Sequence, residues 1–381
     1  MYKLKISALL IISLLMSCGN SQKKKKMEKP LQLINKNATA ETLQLYLFLD
    51  KLVANHKIML GHQDALAYGS RWFGDEERSD VKDIVGDYPA VVGLELGNIE
   101  LGFEKNLDSV CFDDMKRYIK ETHLRGGIST CSWHGSNIVT RKNTWDCAQN
   151  TVVRSVLPEG ENHKEYLTWL DKVSNFFRDL IDEKGKPIPI IFRPYHENTG
   201  NWFWWGADQC TAEEYKQLWR MTVDYMLKEK NLNNLIFAYT PSSLANEAHF
   251  LERYPGDDYV DMIGFDTYVL DEKLIDVIDF YKKDMKKNLD ITTQYAQVHN
   301  KIAFIGETGM EGISHNTYFT EVLYPLISTY NIAWVLFWRN AWEKDKPNHH
   351  YLPYITHPSA PDFKLFTEKP EILLNKDITR R

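Results

Sequence analysis

Short apolar runs alternate with longer amphipathic segments from Leu43 almost to the end of the chain. Runs that are apolar on both faces are typical of strands in a parallel sheet that is covered on both sides. Amphipathic patterns with a helical period fill the gaps between them, for example at residues 166–181, 212–227 and 274–298. Eight strands are predicted in this way, at residues 56–62, 90–97, 126–134, 188–197, 235–240, 262–268, 301–307 and 332–339.

Eight strand–helix alternations in one continuous segment predict an α/β protein, a (β/α)8 or TIM barrel. No linker rich in Gly, Pro or Ser interrupts the alternation. Residues 41–375 are therefore predicted to form a single domain. In such a barrel the carboxyl ends of all strands meet at one face, which is where active sites lie.

The first 17 residues have the features of a bacterial lipoprotein signal. Lys3 and Lys5 precede an apolar stretch at residues 6–17, which is too short to span a bilayer, and a small residue then precedes Cys18. Cleavage would leave Cys18 as a lipidated first residue. The polar, Lys-rich segment that follows is predicted to be a solvated tether, so that residues 18–40 connect a membrane anchor to the barrel.

The formal net charge of −6 hides an asymmetry. Residues 1–30 contain seven Lys and one acidic residue, which leaves 39 basic and 51 acidic residues for the rest, a net of −12. Nucleic-acid binding needs a basic face, so no nucleic-acid partner is expected. The 11 Trp, 20 Tyr and 17 Phe favour surfaces that stack on sugar rings.

Four further cysteines are too few for a disulfide scaffold, and their spacing does not match a metal site. Three full disulfide pairings among them stay open. The four cysteines are Cys111, Cys131, Cys147 and Cys210.

Nearly every predicted strand ends in polar or aromatic residues. One such end is most simply a solvated loop, but eight in register indicate a site at the mouth of the barrel. The ends read Gly61-His62-Gln63-Asp64, Glu95-Leu96-Gly97-Asn98, Ser132-Trp133-His134, Arg193-Pro194-Tyr195-His196-Glu197, Tyr239-Thr240-Pro241, Asp266-Thr267-Tyr268, Gly306-Glu307-Thr308-Gly309 and Phe337-Trp338-Arg339-Asn340.

Two of these ends carry a glutamate directly after the apolar run, Glu197 on the fourth strand and Glu307 on the seventh. Two carboxyl groups facing each other across a barrel mouth are what glycoside hydrolysis requires, one as acid and one as nucleophile or base. The two groups would need different environments, and Arg339 is predicted to hold Glu307 ionised. A structural salt bridge is the alternative for each glutamate.

A zinc protease is excluded for the His196-Glu197 pair, since Gly200 stands where a second histidine would be needed. No metal and no cofactor is predicted. The aromatic run after the fourth strand predicts a sugar platform at Trp202, with one of its two following tryptophans packed inward. Three further tryptophans are predicted to line the site, namely Trp133, Trp338 and Trp342.

Taken together, the chain resembles glycoside hydrolase family 26, whose best known members are β-1,4-mannanases. The resemblance covers residues 43–374 and rests on an ordered set of motifs. These are Gly61-His62-Gln63, Ser132-Trp133-His134, Arg193-Pro194-Tyr195-His196-Glu197-Asn198, Gly200-Asn201-Trp202-Phe203-Trp204-Trp205, Phe265-Asp266-Thr267-Tyr268, Gly306-Glu307-Thr308-Gly309 and Phe337-Trp338-Arg339-Asn340.

The resemblance implies a retaining mechanism in which Glu197 is the acid/base and Glu307 the nucleophile. It also implies that His196 contacts the sugar beside the nucleophile, that Tyr268 hydrogen-bonds the nucleophile, and that Asp266 orients the nucleophile or the sugar. Retention predicts carboxyl groups about 5–5.5 Å apart, whereas about 9 Å would indicate inversion.

The same resemblance implies that His134, Trp338 and Arg339 line the glycone subsites and that Trp202 lies beside the acid. Two further substrate contacts are predicted from position alone. They are Arg193, which flanks Glu197 in the sequence, and Trp133, which extends the aromatic lining. The expected partner is a β-mannan or a manno-oligosaccharide, and the protein is expected to be a monomer.

Substrate and mode of action stay open at this point. Release of mannobiose from chain ends is favoured if the loops at residues 98–125 and 133–167 close the cleft, and cleavage within chains is the alternative. Other members of the family act on β-1,3-xylan or mixed-linkage glucan, and a sugar-binding lipoprotein without catalysis is a third possibility.

Surface lipoproteins of the Bacteroidetes usually carry an acidic run after the cysteine. The basic run at residues 23–26 therefore predicts an outer-membrane lipoprotein that faces the periplasm rather than the cell exterior.

Overall fold

The structure, a computed structural model, describes residues 31–269 and 276–378. The predicted signal at residues 1–17 and the predicted lipidation of Cys18 lie outside the described residues. All eight predicted strands are present, and each begins within two residues of its predicted start. They are β1 (Ile58–Gln63), β2 (Val91–Glu95), β3 (Ile128–Trp133), β4 (Ile190–Pro194), β5 (Leu235–Tyr239), β6 (Met262–Ile263 and Asp266–Val269), β7 (Ile302–Ala303 and Ile305–Met310) and β8 (Trp334–Phe337).

The strands pair in parallel in chain order, and β8 pairs with β1. Both β6 and β7 are interrupted in the middle. The two first halves pair with each other, and that of β6 also pairs with β5. The two second halves pair with each other, and that of β7 also pairs with β8. The sheet therefore closes on itself, which confirms the predicted (β/α)8 barrel.

Helices follow most strands and cover the outside of the barrel, as the amphipathic patterns predict. The helix Ala212–Asp224 begins at a capping box in which Thr211 and Glu214 satisfy each other's backbone N–H groups. The helices are α1 (Ala40–Ala54), α2 (Asp80–Val85), α3 (Phe112–Leu124), α4 (Val152–Val156), α5 (His163–Arg178), α6 (Ala212–Asp224), α7 (Glu247–Arg253), α8 (Val277–His299), α9 (Tyr324–Ile327) and α10 (Ala360–Thr367).

The interior of the barrel is apolar near its floor and charged near its mouth. Ile191 packs in one buried cluster with residues from several other strands, while Phe192 packs outward in a different cluster. Because side chains alternate along a strand, Arg193 then faces the interior again. The same strand thus supplies apolar packing below and a buried cation directly above it.

α1 closes the floor of the barrel, at the end opposite the strand ends that carry the polar motifs. Leu45 and Leu49 belong to the same buried cluster as the interior residue Met59. The Tyr46 hydroxyl donates to the backbone carbonyl of Asp261 at 2.8 Å, directly below β6. The barrel therefore opens at one end only.

The predicted tether extends too far, because the chain joins the fold before residue 40. Leu33 is buried, and the backbone N–H of Ile34 donates to the Asp261 carboxylate at 2.7 Å. The backbone N–H of Thr39 bonds the carbonyl of Asn233 at 2.8 Å. At the other end Ile378 is still buried. The described residues, 31–269 and 276–378, therefore belong to the folded unit, which begins and ends outside the predicted 41–375.

Across the described ranges, none of the helices combines the length and apolarity that crossing a bilayer would need. The four cysteines left open by the sequence are all free thiols in the structure. Cys131 and Cys210 are buried, and Cys111 and Cys147 are partly exposed.

Candidate active site

Glu307 reaches the barrel interior through a bulge in β7. Ile305 lies opposite Val335 of β8 and Thr308 lies opposite Phe337, so three steps along β7 match two along β8. The extra residue breaks the in–out alternation, and bulges of this kind re-aim side chains at functional sites. Glu307 therefore points inward, where a regular strand would turn it outward.

Glu307 is held by a cation and a hydroxyl. Nη2 of Arg193 pairs with Oε1 of Glu307, and the Tyr268 hydroxyl donates to Oε2 at 2.6 Å. The other guanidinium nitrogen, Nη1, lies 3.2 Å from an Asp266 carboxylate oxygen and 3.0 Å from Oγ1 of Thr240. Arg193, Asp266 and Glu307 are all buried. This arrangement fixes the orientation of the Glu307 carboxylate.

The structure contradicts the prediction that Arg339 holds Glu307. Arg339 lies beyond the end of β8 and pairs instead with Asp108 and Glu343, each at 3.2 Å. Its guanidinium lies 5.6 Å from the centre of the Tyr68 ring. The cation that contacts Glu307 is Arg193, which had been predicted as a substrate contact and is 1% exposed.

Glu197 lies in a turn three residues beyond β4, not at the end of the strand as predicted. Tyr195 and Glu197 have φ angles of 50° and 53°, a region that non-glycine residues rarely adopt. The backbone N–H of Glu197 donates to Thr240 O at 2.7 Å, and the Tyr215 hydroxyl donates to Tyr195 O at 2.9 Å. These bonds hold the strained turn in place, as is common where a side chain must be aimed precisely at a site.

The two glutamates lie close together in different environments. One carboxylate oxygen each from Glu197, Asp266 and Glu307 lies within 4.8 Å of the others. Burial, followed by the charge of Glu307, raises the pKa of Glu197 to about 7. The Trp202 indole N–H donates to Oε2 of Glu197 at 2.6 Å and opposes that rise in pKa. Glu197 can therefore carry a proton near neutral pH.

Three carboxylates in contact could in principle hold a metal ion. Here the guanidinium of Arg193 already contacts Asp266 and Glu307 and supplies the positive charge that a cation would bring. The donor set thus forms an arginine–carboxylate network, and no metal chemistry is needed to describe it.

Two histidines form a second polar cluster beside Glu197. Nδ1 of His134 lies 2.7 Å from Glu95, and although burial opposes protonation, the Glu95 charge and hydrogen bond raise the pKa of His134. Burial, with the charges of His134 and Arg193, lowers the pKa of His196 well below its usual value. Nε2 of His134 lies 3.1 Å from Nε2 of His196, within hydrogen-bond distance.

The predicted aromatic lining divides into exposed and buried members. Trp202 is 42% exposed, and Trp338 is partly exposed with its ring 6.3 Å from His134. Trp133 is 1% exposed and donates from Nε1 to the buried Glu100, so its prediction as a substrate contact is wrong. Trp204 and Trp205 are both buried, whereas only one had been predicted to pack inward.

Three residues of the site were missed in the sequence. Glu95 ends β2 and orients His134, Asp108 binds Arg339, and Trp145 stacks on the His134 ring at 5.4 Å while remaining half-exposed. Glu95 stood at a strand end, which is a signal that could have identified it. Asp108 and Trp145 lie in long loops, where no periodic pattern marks a position.

Comparison with known proteins identifies related sequences and structures. The sequence profile described as glycosyl hydrolase family 26 matches residues 34–349. A solved GH26 β-mannanase from Bacteroides ovatus superposes with a TM-score of 0.86 at 42% identity, over 90% of this chain and 97% of that one. The catalytic domain of a Bacillus endo-β-1,4-mannanase gives 0.82 at 31% identity, over 91% and 94%.

Curated relatives are described as mannan endo-1,4-β-mannosidases. A mannan endo-1,4-β-mannosidase of Bifidobacterium adolescentis is 35% identical over 288 residues, which is 72% of this chain but 28% of that protein. One from Bacillus subtilis is 28% identical over 301 residues, 73% of this chain and 77% of the relative. The chain thus spans little more than a quarter of the Bifidobacterium protein. On its profile match and its fold, the chain belongs to glycosyl hydrolase family 26.

Proposed function

We propose that the protein hydrolyses β-1,4-mannosidic bonds by a retaining double displacement, with Glu307 as nucleophile and Glu197 as acid/base. The observation that carries this proposal is the pair of carboxylates with oxygens within 4.8 Å in unlike environments. That spacing matches the short separation of retaining enzymes rather than the 6.5–9.5 Å typical of inverting pairs. The mannan specificity rests on the relatives named above.

In the first step Oε2 or Oε1 of Glu307 attacks the anomeric carbon while Glu197 protonates the departing glycosidic oxygen. A glycosyl ester forms and the leaving sugar departs with the proton of Glu197. The raised pKa of Glu197, about 7, keeps that proton available at neutral pH. Arg193 and Tyr268 orient the attacking carboxylate.

In the second step the ionised Glu197 removes a proton from water, and the resulting nucleophile breaks the ester at the anomeric carbon. Glu307 leaves as a carboxylate, and its charge is again met by Arg193 and the Tyr268 hydroxyl. Both steps invert the anomeric centre, so the product keeps the β configuration.

The sugar beside the nucleophile is held by the histidine pair. Nε2 of His196 lies 3.1 Å from Nε2 of His134, and both rings lie beside the proposed acid/base. Trp202 and Trp338 supply the exposed ring faces on which sugars stack.

We further propose that the enzyme releases mannobiose from chain ends. Asp108 lies in the loop after β2 and Arg339 in the loop after β8, and their ion pair joins the two loops above β1. Both side chains are largely buried, at 15% and 8% exposure. Arg339 is one of the residues that the resemblance assigns to the glycone subsites, so this contact would close the mouth of the barrel on that side. Cleavage within chains is the alternative.

The test of the reaction is a timed product profile on linear β-1,4-mannan, β-1,3-xylan and mixed-linkage glucan, with proton NMR of the first anomer formed. We expect β-configured mannobiose from mannan. An α anomer would overturn retention, cleavage of another glycan alone would overturn the mannan assignment, and no sugar release from any of them would favour a binding protein.

The roles of the two glutamates are tested by substitution. Glu307→Ala should reduce turnover by several orders of magnitude, on the order of 10⁴-fold or more. Glu197→Ala should slow substrates with poor leaving groups most, and an aryl mannobioside with a good leaving group should largely escape. If both substrates lose rate equally in Glu197→Ala, the acid assignment is wrong.

Finally, we propose that lipidation of Cys18 anchors the enzyme to the outer membrane on its periplasmic side. Support comes from the signal pattern and the basic run described for the sequence. Metabolic labelling with a tagged fatty acid should mark the native chain and leave Cys18→Ala unlabelled. Protease added to intact cells should spare the enzyme, and its digestion would place it on the surface.

A further inference from the structure

A buried arginine outside the site binds the loop that carries the aromatic residues of the site. In the described residues the buried arginines are Arg193, Arg253 and Arg339. Arg193 and Arg339 pair with carboxylates. Arg253 lies at the end of α7 and forms no ion pair with a carboxylate of the described residues. It is 3% exposed. Its charge is met by other groups, and those groups all belong to one loop and the helix behind it.

Residues 200–210 are called the aromatic loop below. The guanidinium of Arg253 donates hydrogen bonds to several backbone carbonyls of this loop. Nη2 donates to the carbonyls of Trp205 at 3.2 Å and Gly206 at 3.1 Å, and it lies 3.0 Å from Sγ of Cys210. Nη1 donates to the carbonyl of Cys210 at 3.1 Å. The guanidinium also lies 5.1 Å from the centre of the Tyr215 ring.

The opposite side of the aromatic loop contacts the proposed acid/base and the histidine beside it. Trp202 donates to the Glu197 carboxylate at 2.6 Å, and Trp205 donates to the backbone carbonyl of His196 at 2.8 Å. Phe203 packs against the His196 ring with centroids 5.2 Å apart. The loop is thus a layer between Arg253 and the site.

We propose that Arg253 is a positioning residue for the acid/base, acting through the aromatic loop and the Trp202–Glu197 hydrogen bond. This inference rests on the proposed role of Glu197. Arg253 itself contacts neither glutamate, and its effect reaches them only through the loop backbone that it holds.

The chemistry of the guanidinium explains why an arginine stands here. Its planar fork presents several donors in fixed directions, so one side chain can hold carbonyls from successive residues at once. A lysine ammonium has three donors on a flexible stem and cannot reproduce that geometry. The loop shape is therefore fixed from behind.

Loss of the Arg253 hydrogen bonds should change the pKa of Glu197. The Trp202 hydrogen bond favours the charged form of Glu197 and so lowers its pKa. When the loop relaxes and the bond lengthens, the pKa of Glu197 should rise. The alkaline limb of kcat/KM, which reports an acid that must be protonated, should then move to higher pH.

The experiment uses Arg253→Lys and Arg253→Met in the full chain, with melting temperature measured for each. We expect kcat/KM on mannan to fall about ten- to a hundredfold. The alkaline limb should shift upward, and an aryl mannobioside with a good leaving group should lose less. If Arg253→Met does not fold, Arg253→Lys, which keeps the charge, carries the test.

Arg220→Met is the matched control. Arg220 also donates to a backbone carbonyl, that of Pro255 at 2.8 Å. Its guanidinium lies over the Tyr259 ring, away from the aromatic loop. It should leave the pH profile unchanged. A double-mutant cycle with Trp202→Phe measures the coupling, and the effects of the two changes should be less than additive.

The proposal would be overturned by an unchanged alkaline limb in the folded Arg253 variants, or by equal losses on both substrates. Full additivity with Trp202→Phe would also overturn the route through Trp202. Failure of the Glu197 role is recognised separately, because Glu197→Ala would then show no dependence on the leaving group.

Discussion

The indole nitrogen of Trp202 lies 2.6 Å from a carboxylate oxygen of Glu197, so the exposed ring of the cleft and the proposed proton donor are directly joined. A sugar that stacks on the ring is thereby set in a fixed position relative to the proton. The same bond moderates the pKa of Glu197. The tryptophan would therefore combine the sugar contact proposed above with control of the acid, two tasks that separate residues could perform.

Trp202→Phe should separate these two tasks. The ring face remains but the N–H is lost, so the pKa of Glu197 should rise and the alkaline limb of kcat/KM should move up by about one pH unit. Trp202→Ala should in addition raise KM. A Phe variant whose limb stays in place would show that the bond does not act on the acid.

Glu197→Gln should stabilise the fold in a pH-dependent way. The pKa of Glu197 is raised to about 7 from 4.5, so its contribution to stability is present below pH 4.5 and is lost as the pH rises through 7. The neutral amide does not ionise, and the gain in melting temperature over the wild type should be larger at pH 8 than at pH 4. Equal gains at both pH values would contradict the raised pKa.

Arg193→Lys should damage both stability and turnover. The ammonium cannot bridge Asp266 and Glu307 as the guanidinium does, which leaves a buried carboxylate without its partner. Breaking a buried pair typically costs about 3–5 kcal/mol, and misplacing a reacting group costs about 10²-fold in rate. Urea unfolding and kcat on an aryl mannobioside measure the two effects. The surface variant Arg141→Lys, which disturbs an exposed pair with Glu165, is the control.

Gly306→Ala should be strongly destabilising, because a methyl group there would overlap with Asp266, Arg193 and Thr240. Asp266 and Arg193 next to the added methyl group form a buried ion pair, which would break if either side chain moved away. Gly61→Ala is the matched control in the same barrel, since its added carbon would lie 3.2 Å from Leu336 and Val91 side chains. We expect about 3 kcal/mol or more for the first change and about 1 kcal/mol for the second. Comparable losses in denaturant unfolding would contradict this packing.

Asp108→Ala should open the side of the cleft that we propose is closed by the ion pair with Arg339. The variant loses the ion pair with Arg339 and frees the loop after β2. Products from linear mannan should then change from mannobiose alone to a mixture of longer oligomers. Asp113→Ala, on the exposed first turn of α3, is the control and should keep the wild-type products. An unchanged product pattern in Asp108→Ala would mean that another element sets the mode of action.

The sequence was sufficient to predict the barrel and the two glutamates, because strand ends in a closed parallel sheet must converge. It could not predict which cation contacts Glu307. Arg339 is adjacent by strand order, but it lies beyond β8 and turns to Asp108, whereas Arg193 faces inward across the barrel. The bulge that turns Glu307 inward leaves no periodic trace, although Gly306 marks the position where the backbone must leave room.

The long aromatic run shows the same limit. Three tryptophans within four residues look equivalent in the sequence, yet Trp204 and Trp205 are buried and only Trp202 reaches the cleft. Which ring faces outward depends on a loop whose shape is fixed by distant groups such as Arg253. Local pattern carries no information about such long-range contacts.

The floor that α1 closes has a practical consequence for handling the enzyme. Residues 33–39 join the fold beneath β5 and β6, at the end of the barrel away from the reacting groups. A bead or electrode coupled through exposed Lys51 of α1 would hold the barrel by its closed end. The immobilised enzyme would then present its open end to the flowing polymer, and a column made in this way should retain the turnover of the free enzyme.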